Sequence, residues 1–196
     1  MNKHILCPLA LVLLSVSCSQ EPGFVKKVPL MLAAYNQHDV TKQLSYYADD
    51  AVFVMAGSAP ATGKAALRNI FACDSVLNNN LALGGEYLLR GDTVYFSSCT
   101  VSNDFYRLAG VPELRFMLGA KIIFRKGLIQ RFELPLVVTE DQKALDKFST
   151  GFAAWLKAKH PEIVKEFMAS MDLPNHTAAA GQSWMKYATE YLATKK

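Results

Sequence analysis

The chain has no CxxC pair, no Cys/His spacing suited to zinc, no cluster of like charges and no internal repeat. Beyond its first residues it has no apolar run long enough to cross a membrane. Each absence removes a class of function. Without metal-ligand spacing, neither a metal site nor a dithiol centre is expected, and no cofactor is implied. The formal net charge of +4 is mild and the lysines and arginines are scattered, so no nucleic-acid partner is expected.

What is present begins at the N-terminus. Lys3 and His4 form a basic start, and Ile5 to Val16 is an apolar stretch broken only by Pro8 and Ser15, too short to span a bilayer. Ser15-Val16-Ser17-Cys18 then looks like a lipoprotein cleavage box. This reading makes 1–17 a signal peptide, makes Cys18 the lipidated new N-terminus, and places the mature chain in the cell envelope, lipid-anchored at a periplasmic or outer surface. Ser15 stands where such boxes most often carry leucine, and ordinary secretion with cleavage nearby is the alternative. Residues 18–24, with Pro22 and Gly23, read as a short polar tether. Of the four cysteines, only Cys73 and Cys99 belong to the folded part. An oxidising compartment permits a disulfide between them, with two buried free thiols as the alternative.

The mature chain has the size of one domain, and its hydrophobic periodicity changes in a definite order. A helix is expected over Val25 to Tyr35, then a second short helix that Asp39 caps, with Asp49-Asp50 as its closing turn. Ala51 to Ala56 reads as a strand. Gly63 opens a helix through Leu67, Ile70, Phe71 and Leu77, which Asn78-Asn79-Asn80 ends. Strands follow over Leu81 to Leu89, Thr93 to Ser102, Leu114 to Arg125 and Leu128 to Val138. Helices followed by an antiparallel meander define an α+β domain, with helices on one face of a curved sheet.

The segments Ala34-Tyr35-Asn36-Gln37-His38-Asp39, Tyr47-Ala48-Asp49-Asp50-Ala51-Val52-Phe53 and Gly63-Lys64-Ala65-Ala66-Leu67-Arg68-Asn69-Ile70-Phe71 resemble, in order and spacing, the nuclear-transport-factor-2-like superfamily, in particular its SnoaL-like branch. The resemblance covers residues 25–138. It implies a cone-shaped curved antiparallel sheet wrapped on the N-terminal helices around a deep pocket. The same motifs have structural work to do, so Asp49, Asp50 and Arg68 are read as turn and pairing residues rather than catalysts.

Strand alternation, combined with the pocket that the resemblance implies, gives a candidate ligand-binding set: Met31, Tyr35, Phe53, Met55, Phe116, Leu118, Ala120, Gln130, Phe132 and Leu134. In this set Phe116, Leu118 and Ala120 continue through Ile122 and Phe124 as one apolar face. Ketosteroid isomerases of the superfamily need a tyrosine, a neutral acid and an aspartate, and the matching places here read Met31, Ala120 and Met55. None of the three moves a proton. The aspartate-arginine-aspartate site of the limonene-epoxide type has no counterpart either. The remaining polar candidates are Gln130, Asn103, Asp104, Glu113 and Tyr35, none with an assignable role, and His38 and His160 read as surface or capping groups.

Residues 139–196 form an extra C-terminal helical segment. Thr139-Glu140-Asp141-Gln142 reads as a capping box, and three amphipathic aromatic stripes follow, with Trp155 or Trp184 placed to cover the pocket or a homodimer face. Three functions stay open. The favoured one is an envelope lipoprotein whose cone holds a small apolar molecule; it requires no acid or base. The second is an enzyme of the isomerase, cyclase or hydrolase kind, which requires a buried carboxylate or histidine with a shifted pKa inside the cone. The third is an envelope interaction protein with a filled cone.

Overall fold

The structure, a computed structural model, describes residues 22–195. The signal segment, Cys18 and most of the tether lie outside the described residues. The chain begins with α1 (Lys27–Asn36), whose inner face carries Val28, Met31, Ala34 and Tyr35. His38 turns the chain at a φ of 58°, and Asp39 then caps α2 (Val40–Leu44) by accepting from the Lys42 N–H at 2.9 Å. After β1 (Tyr47–Met55) and β2 (Ala61–Thr62) comes α3 (Gly63–Val76), which buries Leu67, Ile70, Phe71 and Cys73. Asn78, at a φ of 53°, ends it. The other strands are β3 (Asn80–Arg90), β4 (Thr93–Ser102), β5 (Leu114–Arg115), β6 (Lys121–Arg125) and β7 (Leu128–Leu134).

These strands form one curved sheet in the order β2-β1-β7-β6-β4-β3, with β5 added to β4. The class is the expected α+β cone. All pairs are antiparallel except β1 with β7, which run parallel with Phe53 opposite Phe132 and Met55 opposite Leu134. A parallel pair needs a long crossover, and here α3 and the whole meander supply it. Met31, Leu67 and Ile122 are fully buried between helices and sheet, with Phe53 packed edge-on against Phe132 at 5.6 Å between ring centroids.

The structure corrects several sequence expectations. Asp49 and Asp50 lie within β1 rather than in a turn, where they pair with Lys64 and Arg125. Leu114 to Arg125 is not one strand: it breaks after β5, and Phe116 makes only an isolated bridge to Val137. A short helix, α4 (Asp104–Leu108), stands between β4 and β5, capped by Asn103, which accepts from the Tyr106 N–H at 2.6 Å. Cys73 and Cys99 are free and buried in separate apolar clusters, and burial pushes both thiols up to about 12. No bridge links them.

The C-terminal segment folds as α5 (Thr139–Lys159), α6 (Val164–Ser170), a 3-10 turn (Leu173–Asn175) and α7 (Ala178–Ala193). The capping box does not form. Asp141 instead accepts from the backbone N–H, Nε and Nη2 of Arg115 at 2.9, 3.0 and 2.7 Å, and Gln142 donates to Asp146. The box fails because the helix starts one residue early: Val138 is its N-cap and Thr139 is already the first helical residue, so the threonine hydroxyl is not placed to cap. A second core joins this segment to the cone, with Phe105 of α4 packed among Phe148, Phe152 and Trp184. The expected cover for the pocket is not tryptophan: Trp184 is buried in this core, and Trp155 stacks on Phe152.

A candidate ligand site where β1 and β7 end

A polar triad forms inside the cone from three separate elements. On the apolar face of α3, one turn beyond Ile70 and Phe71, stands Asp74. Tyr35 of α1 donates from its hydroxyl to Asp74 Oδ2 at 2.9 Å. Asn79, in the turn before β3, donates from Nδ2 to Asp74 Oδ1 at 2.5 Å and to the Tyr35 hydroxyl at 3.2 Å. The carboxylate fixes the amide orientation, because only Nδ2 can donate to it. Asn79 Oδ1 is then left buried and without a partner.

The triad lines a cavity of about 70 Å³, closed by Phe53, Met55, Phe116 and Leu134 of the sheet and by Tyr106 of α4. Ile70 and Val101 complete the inner wall, and Leu173 and His176 come from the C-terminal segment. That volume holds several waters or one end of a small organic molecule. Met55 and Tyr106 also line a larger groove of about 690 Å³ between the end of β1, Met117, Leu136 and the first turns of α5. The two spaces therefore share Met55 and Tyr106 as lining residues.

Burial pushes the Asp74 carboxyl up to about 7, and the hydrogen bonds from Tyr35 and Asn79 hold it from rising further. By surface area Asp74 is only partly buried, as a cavity wall is, but the surrounding protein displaces bulk water and desolvation dominates. Burial and the neighbouring carboxylate also raise Tyr35, which stays a neutral phenol. His176 is pushed below its ordinary value by burial. Its Nδ1–H donates to the Asp172 carbonyl at 2.8 Å, which leaves Nε2 with the free lone pair, and its ring stands perpendicular to Trp184 at 4.7 Å. Among the described residues no group of three or more His, Cys, Asp or Glu could hold a metal ion, and no helix is long and apolar enough to cross a membrane.

Of the candidate set, the structure brings Tyr35, Phe53, Met55, Phe116 and Leu134 together around the cavity. The others lie elsewhere. Met31 and Phe132 are core residues packed beneath it. Ala120 is buried at a separate shallow depression on the sheet's outer side, together with Leu118, which is 80% exposed. Gln130 of β7 lies away from the cavity and donates to the Asp50 carbonyl at 3.2 Å. Asn103 caps α4, Asp104 pairs with Asn78 and Arg107, and Glu113 is exposed.

The functional residues that sequence reasoning missed are Asp74, Asn79, Tyr106 and His176. Asp74 does carry a signal: Leu67, Ile70, Phe71 and Asp74 share one helical face, so a carboxylate continues an apolar stripe.

No family model matches the chain, and no curated protein matches it. Solved structures with NTF2-like and cyclase-like descriptions align with the cone. One is an NTF2-like protein of unknown function from Cytophaga hutchinsonii, with a TM-score of 0.47 and 9% identity over 64% of this chain and 98% of that one. Another is SalBIII, an epoxide hydrolase/cyclase-like enzyme of salinomycin pyran ring formation, with a TM-score of 0.49 and 15% identity over 60% and 92%. A putative polyketide cyclase from Sinorhizobium meliloti aligns with a TM-score of 0.44 and 22% identity over 58% and 94%. Identities this low assign no functional residue in this chain.

Proposed function

We propose that the protein binds a small molecule with an apolar body and one hydrogen-bonding end, the body in the groove and the end in the inner cavity. The observation that carries this reading is a cavity that holds the Asp74 carboxylate, with no lysine or arginine beside it, among walls that are mostly apolar and aromatic. The test is titration with an environment-sensitive apolar dye and, separately, mass spectrometry of small molecules released from the purified protein. Met55→Glu puts a charge on the wall shared by groove and cavity and is expected to weaken dye binding at least tenfold. Equal binding by the variant and the parent protein removes the site from consideration.

A second reading, an acid–base enzyme of the isomerase, cyclase or hydrolase kind, is favoured by one observation. Asp74 titrates near neutrality and shares its cavity with a neutral histidine. A general acid or base works best with a pKa near the working pH. We further propose that the mature chain is exported and lipid-anchored through Cys18. Intact-mass measurement of the membrane-extracted protein is expected to give a chain starting at Cys18 with acyl mass added, and Cys18→Ser is expected to remove that mass.

A further inference from the structure

The chemical character of the cavity's polar groups restricts the ligand more than its size does. Tyr35 has spent its proton on Asp74, and Asn79 has spent its Nδ2 on Asp74 and Tyr35. Asn79 Oδ1 is unpartnered in a residue more than nine-tenths buried. His176, donating from Nδ1 to a carbonyl, offers a lone pair at Nε2. Apart from the Tyr106 hydroxyl, which can give or take, the lining presents acceptors with no donors to match. It also holds a carboxylate and no lysine or arginine. Four of the walls are the aromatic rings of Tyr35, Phe53, Tyr106 and Phe116.

A carboxylate without a cation, beside an orphaned acceptor and between aromatic faces, is complementary to a positively charged N–H donor. Resting on the binding reading proposed above, we infer that the cavity takes the ammonium end of a small amine carrying apolar substituents. A neutral alcohol leaves the carboxylate without a counter-charge; an ammonium ion supplies one. When the amine binds, an ionised Asp74 pairs with it directly, and a protonated Asp74 first releases its proton to solvent. The groups that face Asp74 are Tyr35 from α1, Tyr47 from β1, Cys73 of its own helix, Tyr106 from α4 and His176 from the C-terminal segment. Lys143 and Asp146 lie in the outer groove. Of the inner groups only Asp74 and His176 change charge between mildly acid and mildly alkaline pH.

The experiment is an NMR titration of the purified protein with isopropylammonium and, separately, isopropanol at about pH 6 and about pH 8, beside the dye titration. Isopropylammonium is expected to bind at least tenfold more tightly than isopropanol at the higher pH and to lose about tenfold at the lower one, where Asp74 is mostly protonated. Asp74→Asn is expected to abolish the preference, and His176→Gln to keep the pH effect. If Asp74→Asn does not fold, the pH pair on the unaltered protein decides. Isopropanol binding as tightly as the amine at both pH values overturns the amine assignment while leaving the pocket standing. Failure of both ligands and the dye overturns the pocket as well.

Discussion

Gly119→Ala is expected to cost roughly 3 kcal/mol or more, close to the upper range for a single added methyl group. Gly119 has a φ of +73°, which alone costs an alanine about 1–2 kcal/mol. The larger part is contact. A Cβ at this position would lie 1.9 Å from the Phe96 carbonyl oxygen, 2.6 Å from its carbon and 2.9 Å from the Ser97 carbonyl carbon. These are backbone atoms of β4, held by the Phe96 N–H to Ala120 carbonyl bond at 2.8 Å, so no rotamer change relieves the clash. Relief requires β4 and the segment after β5 to part, which also moves Phe116, a wall of the cavity. Gly57 is the control: its φ is +88°, but nothing lies within 4 Å of its Cβ position, so its alanine variant is expected to cost only about 1 kcal/mol. Urea unfolding of both variants, at unchanged m-values, measures the difference. Equal midpoints would mean that the close approach of the backbone at Gly119 does not exist.

The same glycine explains where strand alternation fails. Phe116, Leu118 and Ala120 share a face only if the backbone stays extended between them. A turn at Met117 and Leu118, followed by the left-handed residue at 119, breaks that rule, so Phe116 and Ala120 are buried while Leu118 points to solvent. The helices are easier to read. Asp39 announces its cap, and Leu67, Ile70 and Phe71 announce the buried face of α3, because both signals are local. The parallel pairing of β1 with β7 has no local signal, since it joins strands that the whole meander separates. The site lies between these extremes. Tyr35, Phe53, Met55, Phe116 and Leu134 follow from element faces and the resemblance, but Asn79 and His176 belong to a turn and to a loop after a 3-10 turn, where no periodicity fixes direction. Asp74 is only half legible: it continues the apolar stripe of α3, but a carboxylate near a helix end more often faces water, and only the third dimension shows Tyr35 and Asn79 turned toward it.

Asp74→Asn is expected to stabilise the protein at alkaline pH and to do little or the reverse at mildly acid pH. An aspartate whose folded pKa is about 7, against an ordinary value of 3.8, binds a proton more tightly folded than unfolded. Its contribution to stability is therefore greatest below the unfolded value, falls as pH rises between the two, and levels off above about 7. Each tenfold change in proton affinity between the folded and unfolded chain corresponds to about 1.4 kcal/mol. The full penalty of burying the charge is then on the order of 4 kcal/mol, and about 2–4 kcal/mol after allowance for the carboxylate's partial contact with water. Other groups act in the opposite direction. His176 is held below its ordinary value, so its contribution is lost as pH falls, and Asp50, Asp104, Asp141 and Glu133, held low by their partners, lose theirs at still lower pH. The difference between variant and parent cancels all of these contributions and leaves that of Asp74. The asparagine can still accept the Tyr35 proton through its oxygen, and a flip of the Asn79 amide lets Asn79 Oδ1 accept from the new nitrogen, at the cost of the weaker bond from Asn79 to the Tyr35 hydroxyl. In urea unfolding, the variant-minus-parent difference is expected to be zero to slightly negative near about pH 5 and to climb by about 1–2.5 kcal/mol toward about pH 8.5, the rest of the penalty falling below about pH 5. A difference independent of pH would show that the carboxyl titrates as an ordinary surface aspartate. The acid–base reading would then lose its physical basis, and the loss of amine binding at the lower pH would no longer be expected.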